Sequence, residues 1–228
     1  MNPWESFSTT RRRLLRRGAG WGLAAALGAP GRLWAFGAPV PVQGFREIQG
    51  RVTVNGRPAQ EGVVLQSGDR VETAEEATAV FVSGRDATRL RPKTVVEVSL
   101  RGGGAVEAVV EGLQVLQGGV LAVFGIHPAT VKTPVATMGI RGTGIYIETS
   151  EAESYLCTCY GRVELAALED PRVAETLITS HHDTPRTLRR TAQGSHIVPA
   201  PMIHHNDAEL RQLEQLVFRT PPTQWEGY

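Results

Sequence analysis

The sequence predicts an all-β fold, an antiparallel multi-stranded domain that ends in one short α-helix. Glycine and proline are frequent, with 25 and 14 residues among 228, and no long helical pattern is present. Short apolar segments alternate with glycine-containing turns at intervals near ~8 to 12 residues, which is typical of β sandwiches, barrels and rolls. A hydrophobic fraction of 41% is sufficient for the core of such a fold.

Residues 1–35 are predicted to be a twin-arginine signal peptide. They contain six arginines and one glutamate, a net charge of +5. Residues 10–16, Thr-Arg-Arg-Arg-Leu-Leu-Arg, resemble the twin-arginine export motif, and residues 18–29 are an apolar stretch of the length of a signal h-region. This stretch is too short for an ordinary spanning helix. We expect cleavage near Ala35 and a periplasmic protein; an arginine-rich disordered tail is the alternative.

The remainder of the chain is mildly acidic. The whole chain carries +1 and its first 35 residues +5, so the remainder carries −4. Nucleic-acid binding depends on clustered positive charge, so no nucleic-acid partner is expected. The mature chain is expected to have no membrane span unless the signal stays uncleaved. The predicted organisation is a proline-rich linker at 36–45, a β domain at 46–166, an extension at 167–219 and a tail at 220–228.

The strand pattern is taken from short apolar segments between turn residues. Predicted strands lie at residues 48–54, 62–66, 79–82, 88–90, 95–100, 106–110, 113–116, 120–124 and 130–133. Predicted turns include Asn55-Gly56 and Gln117-Gly118-Gly119. Apolar and polar residues alternate over residues 94–100, which indicates that at least one sheet face meets water.

Residues 133–149 predict a strand with a kink. Apolar residues recur at every second position on both sides of Gly142-Thr143-Gly144, and glycines inside such a pattern indicate a bulge or a close approach of two backbones. Arg141 lies just before the kink. Because a buried unpaired guanidinium costs several kcal/mol, we expect Arg141 to bind carbonyl groups or a carboxylate.

The same stretch carries a family resemblance. Thr133-Pro134-Val135-Ala136-Thr137 followed by Arg141-Gly142-Thr143 resembles the signature of the FecR domain, the periplasmic module of ferric-citrate-type regulators. The resemblance covers roughly residues 47–165 and includes three further segments: Val52-x-Val54-Asn55-Gly56, Gly68-Asp69-Arg70-Val71-x-Thr73 and Leu113-x-Val115-Leu116-x-Gly118-Gly119. Ser83-Gly84-Arg85-Asp86 stands where the family usually has an Asp-Gly turn, so this hairpin is expected to be longer or differently closed.

The resemblance implies a non-enzymatic module that binds a protein or a small ligand in the periplasm, in signalling or envelope scaffolding. Regulators of the family join this domain to a cytoplasmic anti-sigma segment and a spanning helix. The few residues before the arginine motif are too short for such a segment. We therefore expect no control of a sigma factor by this chain alone.

Cys157 and Cys159 are predicted to lie on one face of a strand. Positions two apart in a strand are separated by about 6.6 Å, near the upper limit for a disulfide, so a bridge would need a bend. Two free thiols in an oxidising compartment are unusual and need protection. Three outcomes stay open: a strained disulfide or redox pair, burial as small apolar groups, and a metal site.

The histidines favour the metal site. Five of the six lie between residues 181 and 205, and the candidate ligands are Cys157, Cys159, His181, His182, His204 and His205. Two thiolates and two imidazoles suit zinc, copper or iron in tetrahedral geometry. The spacing matches no standard zinc motif. Adjacent histidines in an extended chain point to opposite faces, so only one of each pair is an easy ligand. Twin-arginine cargo is exported folded and often carries a cofactor, which agrees with such a site. The alternative function is therefore a metal- or redox-cofactor protein, acting either as a binding protein or as an enzyme.

A helix is predicted after Asn206. This residue is an N-cap candidate with Glu209 at the capping-box position, and Leu210, Leu213, Leu216 and Val217 form one apolar stripe. We expect the stripe to pack on the sheet, with docking of a partner as the alternative. Pro221 and Pro222 end the pattern.

Overall fold

The computed structural model describes residues 39–102 and 108–220. The predicted signal peptide and most of the predicted tail lie outside this part of the chain. The described residues form 14 strands and one helix, which are β1 (Gly44–Gln49), β2 (Val52–Val54), β3 (Arg57–Pro58), β4 (Asp69–Thr73), β5 (Thr78–Ser83), β6 (Asp86–Leu90), β7 (Val95–Arg101), β8 (Val109–Val123), β9 (Pro128–Lys132), β10 (Ala136–Thr149), β11 (Glu153–Ala167), β12 (Ala174–Thr179), β13 (Arg186–Thr191), β14 (Gly194–Pro199) and α1 (Asp207–Leu216). Strands account for 57% of the structure, which confirms the predicted all-β class with a C-terminal helix.

The strands form one sheet in the order β14-β13-β11-β10-β9-β8-β7-β4-β2-β3, with β6, β5 and β1 branching from β8 and β12 pairing with β11. All described pairings are antiparallel except that of β8 with β9. The sheet is therefore antiparallel, as predicted, apart from this one pairing. Strand β10 is antiparallel to β9 along its first half and to β8 along its second half, so β8 and β9 must run parallel to each other. Strands β12 to β14 belong to the same sheet as the preceding strands.

One predicted turn and one predicted strand are wrong. Gly118 lies inside the continuous 15-residue strand β8 rather than in a turn. Its φ is 87°, and a side chain there would lie 2.5 Å from the Thr94 hydroxyl oxygen, so this glycine permits a close contact at a bulge. The predicted strand at 62–66 is a turn and loop, in which the Val63 carbonyl accepts a hydrogen bond from Phe45. Apolar alternation alone does not separate these cases.

The predicted kink lies at residues 142–144, where β10 carries an extra residue relative to β11. Gly142 has a φ of 60°, and a side chain at Gly144 would lie 2.5 Å from the Tyr160 ring. The buried Thr143 hydroxyl lies 3.0 Å from the carbonyl oxygens of Arg141 and Arg162. These contacts join the two strands at the kink, so Gly142 and Thr143 have a structural role.

The other signature residues are structural or exposed. The buried Thr133 hydroxyl accepts a hydrogen bond from the Ala136 amide at 2.9 Å, which shapes the turn at Pro134 between β9 and β10. Arg141 is exposed, contrary to the prediction that it is buried and paired. Its neighbours Ile140 and Met138 take the buried positions of the strand, and alternation before the bulge directs Arg141 to solvent.

The hairpin between β5 and β6 is closed by the two residues Gly84 and Arg85, since Ser83 pairs with Asp86. The departure from the Asp-Gly pattern therefore does not lengthen the hairpin. Asp86 is buried, and its carboxylate accepts hydrogen bonds from the amides of Val110 (2.8 Å) and Gly125 (2.7 Å). His127 Nε2 lies 2.9 Å from the same carboxylate.

This His127 contact predicts a pH-dependent contribution to stability. The hydrogen bond to Asp86 raises the pKa of His127 above its ordinary value. A raised folded-state pKa stabilises the fold fully below the unfolded pKa of about 6.5, and this contribution disappears as the pH rises through the folded pKa. His127→Gln should therefore lower the free energy of unfolding by roughly 1 to 2 kcal/mol at acidic pH and by less at alkaline pH. Urea unfolding of both proteins across pH measures this; an equal loss at every pH would contradict it.

The sheet is buried on two sides. One core contains most of the large apolar residues, including Phe45, Phe81 and Met138. The second core lies under α1 and includes Leu121, Tyr146, Leu210, Leu213 and Val217, and both cysteines belong to it. Central strands are therefore apolar on both faces rather than alternating strictly.

Helix α1 begins as predicted. The Asn206 side chain accepts a hydrogen bond from the Glu209 amide at 3.0 Å, and the predicted stripe is buried except for the half-buried Leu216. The Glu209 carboxylate binds Arg91, the residue after β6, at 2.6 and 2.7 Å instead of closing a capping box. In residues 39–102 and 108–220, no helix is long and apolar enough to cross a membrane.

Candidate metal centre

The two cysteines lie on the second-core side of β11. Alternation puts Tyr155 and Cys157 on this side and Leu156 in the main core, as the sequence predicted for the cysteine pair. Opposite β10, Thr158 pairs with Ile145 and Tyr160 with Gly144, so Cys159 is the extra residue of a bulge. Both sulfurs are free thiols and both residues are 0% exposed. The structure therefore favours burial or coordination over a disulfide.

His182 reaches the cysteines from the loop after β12. The His182 amide donates to the Cys159 carbonyl at 3.0 Å, which ties this loop to β11. Its φ of 50° is a left-handed conformation that is uncommon outside glycine. Such conformations cost on the order of 1 kcal/mol or more and are found where the surrounding contacts enforce them, often at functional sites. Here the conformation turns the His182 ring toward Cys157.

His205 approaches from the segment before α1. Its ring stacks on Tyr146, with centroids 4.5 Å apart and an interplanar angle of 19°. Its Nδ1 lies 2.6 Å from the Ile203 carbonyl oxygen, to which it donates its proton. The other ring nitrogen, Nε2, therefore presents a lone pair toward the cysteines.

Four potential ligand atoms converge between these three segments. They are the sulfurs of Cys157 and Cys159, Nδ1 of His182 and Nε2 of His205, and all lie within 4.8 Å of one another. His182 Nδ1 is 3.3 Å from the Cys157 sulfur and 3.1 Å from His205 Nε2. This spacing suits four donors around one tetrahedral ion.

The outer hydrogen bonds of the two imidazoles select their inward-facing atoms. His182 Nε2 lies 3.0 Å from Asp207 Oδ1 and donates a hydrogen bond to it. The lone pair of Nδ1 is therefore available as a metal ligand at the centre of the cluster. Metal-binding histidines usually donate their other N–H group to a carboxylate or carbonyl in this way. Nδ1 of His182 and Nε2 of His205 face each other at 3.1 Å, an arrangement that a cation or a shared proton between them would stabilise.

The electrostatics of the cluster favour ionisation of the Cys157 thiol. The contact with the Cys159 thiol, followed by those with His182 and His205, lowers the pKa of Cys157 against the opposing effect of burial. Burial, and then the neighbouring Cys157, raise the pKa of Cys159. Burial lowers the pKa of His182, but the hydrogen bonds and charges of Cys157 and Asp207 raise it overall. A proton on His182 thus balances Cys157 in the metal-free chain, and a metal ion can replace that proton and ionise Cys159.

The structure brings together four of the six predicted ligands. His181 lies beside the cluster, with Nε2 at 3.0 Å from an oxygen of Asp207. His204 is exposed and binds Glu148 at 2.9 Å on the other side of the segment. These positions leave His181 and His204 outside the four-residue cluster, which takes one histidine from each adjacent pair. Asp207 is not among the ligands predicted from the sequence, although an acidic residue in the first turn of a helix that follows a histidine pair is a usable signal.

The same atoms also fit a thiol nucleophile. Cys157, His182 and Asp207 are connected in the order of nucleophile, base and orienting carboxylate. However, a groove of about 610 Å³ beside the cluster is lined by His181, His182 and Asp207 among others, and by neither cysteine. Both thiols are 0% exposed and do not line this groove, so the geometry favours coordination over attack on a substrate.

Comparison with known proteins assigns no family to the chain. No family model and no curated protein matches it. Two crystal structures of a "putative anti-sigma factor" from Parabacteroides distasonis ATCC 8503 are 13% and 14% identical, with TM-scores of 0.46 and 0.45. Each covers 57% of this chain, and this chain spans 58% of the other. A likeness at this level carries no argument about function, and the FecR resemblance stays an expectation.

Proposed function

We propose that this chain is an exported, non-enzymatic binding module whose C-terminal segment is held by a closed metal centre. Cys157, Cys159, His182 and His205 are its four ligands. One observation carries the proposal: both imidazoles donate their outer N–H groups to protein oxygens and direct their inner nitrogens at two buried sulfurs. This arrangement leaves a site that a cation completes.

Zinc fits this donor set best. Two thiolates and two imidazoles with no open position are typical of structural zinc sites, whereas catalytic sites keep a position for water or substrate. Copper and iron accept similar ligands and are the alternatives. Coordination also protects two thiols in the oxidising periplasm, where the predicted signal would direct the chain.

The metal would give the module its final shape. Its ligands come from β11, from the loop after β12 and from the segment that leads into α1, so one ion joins parts of the chain that are almost fifty residues apart. Helix α1 is otherwise held by its apolar stripe and by polar contacts such as Arg91 with Glu209. We infer that the partner, a protein or a small periplasmic ligand, binds this fixed surface.

Thiol alkylation tests the proposal directly. In protein purified without chelator, Cys157 and Cys159 should resist alkylation and become reactive when a strong chelator is added, because coordination occupies the thiolates. A disulfide or redox pair would be blocked with or without chelator and released only by a reductant. Burial alone would resist with or without chelator and react only on unfolding. Either of these outcomes, or immediate labelling of both thiols, would contradict a metal centre.

A further inference from the structure

A second group of metal-binding side chains adjoins the proposed centre. His181, His182 and Asp207 each offer an atom that lies within 4.8 Å of the others. The Asp207 carboxylate lies 3.0 Å from Nε2 of both histidines. Two imidazole nitrogens and a carboxylate are a common set of three protein ligands for zinc.

The surroundings of this group differ from those of the four-ligand centre. The His181 side chain is 21% exposed, whereas both cysteines are fully buried. All three residues line the groove of about 610 Å³, together with Met202, Asn206 and Arg211. An ion here would have three protein ligands and at least one position open to the groove, which distinguishes exchangeable or reactive zinc sites from structural ones.

His182 belongs to both groups through different ring atoms. Its Nδ1 is directed at the cysteines and its Nε2 at Asp207. We propose a second, open zinc site formed by His181, His182 and Asp207, in which the His182 ring bridges two metal ions. This inference rests on the proposed function, because the first ion must hold Nδ1.

Binding at this site is balanced by the loss of one proton. His182 donates Nε2–H to Asp207 when only the first site is filled, and the second ion takes the place of that proton. When the second ion binds, His181 stays neutral and carries its ring proton on Nδ1. Its Nε2 is then free of a proton and serves as a ligand. Asp207 contributes a carboxylate oxygen. The fourth position accepts water or a small anion from the groove, near Arg211.

Metal stoichiometry distinguishes the two proposals. Full-length mature protein is dialysed against micromolar zinc, and bound zinc is measured by atomic emission. Wild type should bind about two ions per chain, and His181→Ala should bind about one. The double variant Cys157→Ser, Cys159→Ser should lose the closed site. His204→Ala removes a histidine that is next to His205 but belongs to neither group, and this variant should still bind two ions. Circular dichroism confirms that each variant is folded.

The outcomes separate failure of each proposal. Wild type with about one ion that is lost in the double cysteine variant would overturn the second site and leave the first. Two ions in His181→Ala would also overturn the assignment of the second site. Wild type without zinc, copper or iron would overturn both. Two ions in wild type, one in His181→Ala and no change in His204→Ala support the open site.

Discussion

Cys157→Ser is expected to lower the free energy of unfolding by roughly 4 kcal/mol or more, a loss that is exceptional for one substitution and characteristic of losing a metal site. A serine hydroxyl is not ionised at neutral pH and cannot replace a thiolate ligand. The ion would then be held by three ligands at most, and the contacts between β11, the loop after β12 and the segment before α1 would weaken. Urea unfolding of wild type and variant measures the difference.

A strong chelator supplies the control for this prediction. Chelation should reduce the stability of wild type to nearly that of Cys157→Ser, and the variant itself should change little. His204→Ala should respond to chelator as wild type does, because His204 binds Glu148 outside the centre. A difference between wild type and Cys157→Ser that is equal with and without chelator would show that Cys157 acts only as a packed apolar group.

Changing Arg11 and Arg12 together to lysine is expected to leave nearly all of the protein in the cell as precursor. Lysine keeps the charge but lacks the planar, multi-donor guanidinium, so a receptor that recognises the arginine pair should not bind it. The measurement is the amount of processed protein in the periplasmic fraction.

Two other arginines provide a matched control for export. Arg13→Lys with Arg17→Lys also keeps the charge of the segment but lies outside the pair, and this variant should be exported as wild type is. Normal periplasmic delivery of the Arg11 and Arg12 variant would contradict export by the twin-arginine pathway. Equal loss of export in both variants would show that the export machinery recognises the general composition of the segment rather than the arginine pair.

Periodicity predicted those parts of the structure that depend on one strand or one helix. The common face of Cys157 and Cys159 and the buried stripe of α1 follow from spacing alone. Neither depends on the rest of the fold. For the same reason the all-β class followed from the short apolar segments and their turns.

The remaining features depend on tertiary contacts. His182 rather than His181 faces the cysteines because its backbone is left-handed and its amide donates a hydrogen bond to Cys159. No sequence pattern predicts which of the two histidines does so. Gly118 was expected in a turn and lies at a bulge, because its contact is with Thr94 from another strand. Arg141 was expected to be buried because its neighbours are apolar, but alternation directs it to solvent.

X-ray absorption at the metal edge tests the central claim most directly. Mature protein purified from cells without chelator should contain zinc, with two sulfur ligands near about 2.3 Å and nitrogen ligands near about 2.0 to 2.1 Å at the closed site. In His181→Ala, which removes the proposed second site, the spectrum should correspond to two sulfur and two nitrogen ligands per zinc ion. A spectrum with only nitrogen and oxygen ligands, or protein that contains no transition metal, would contradict the account.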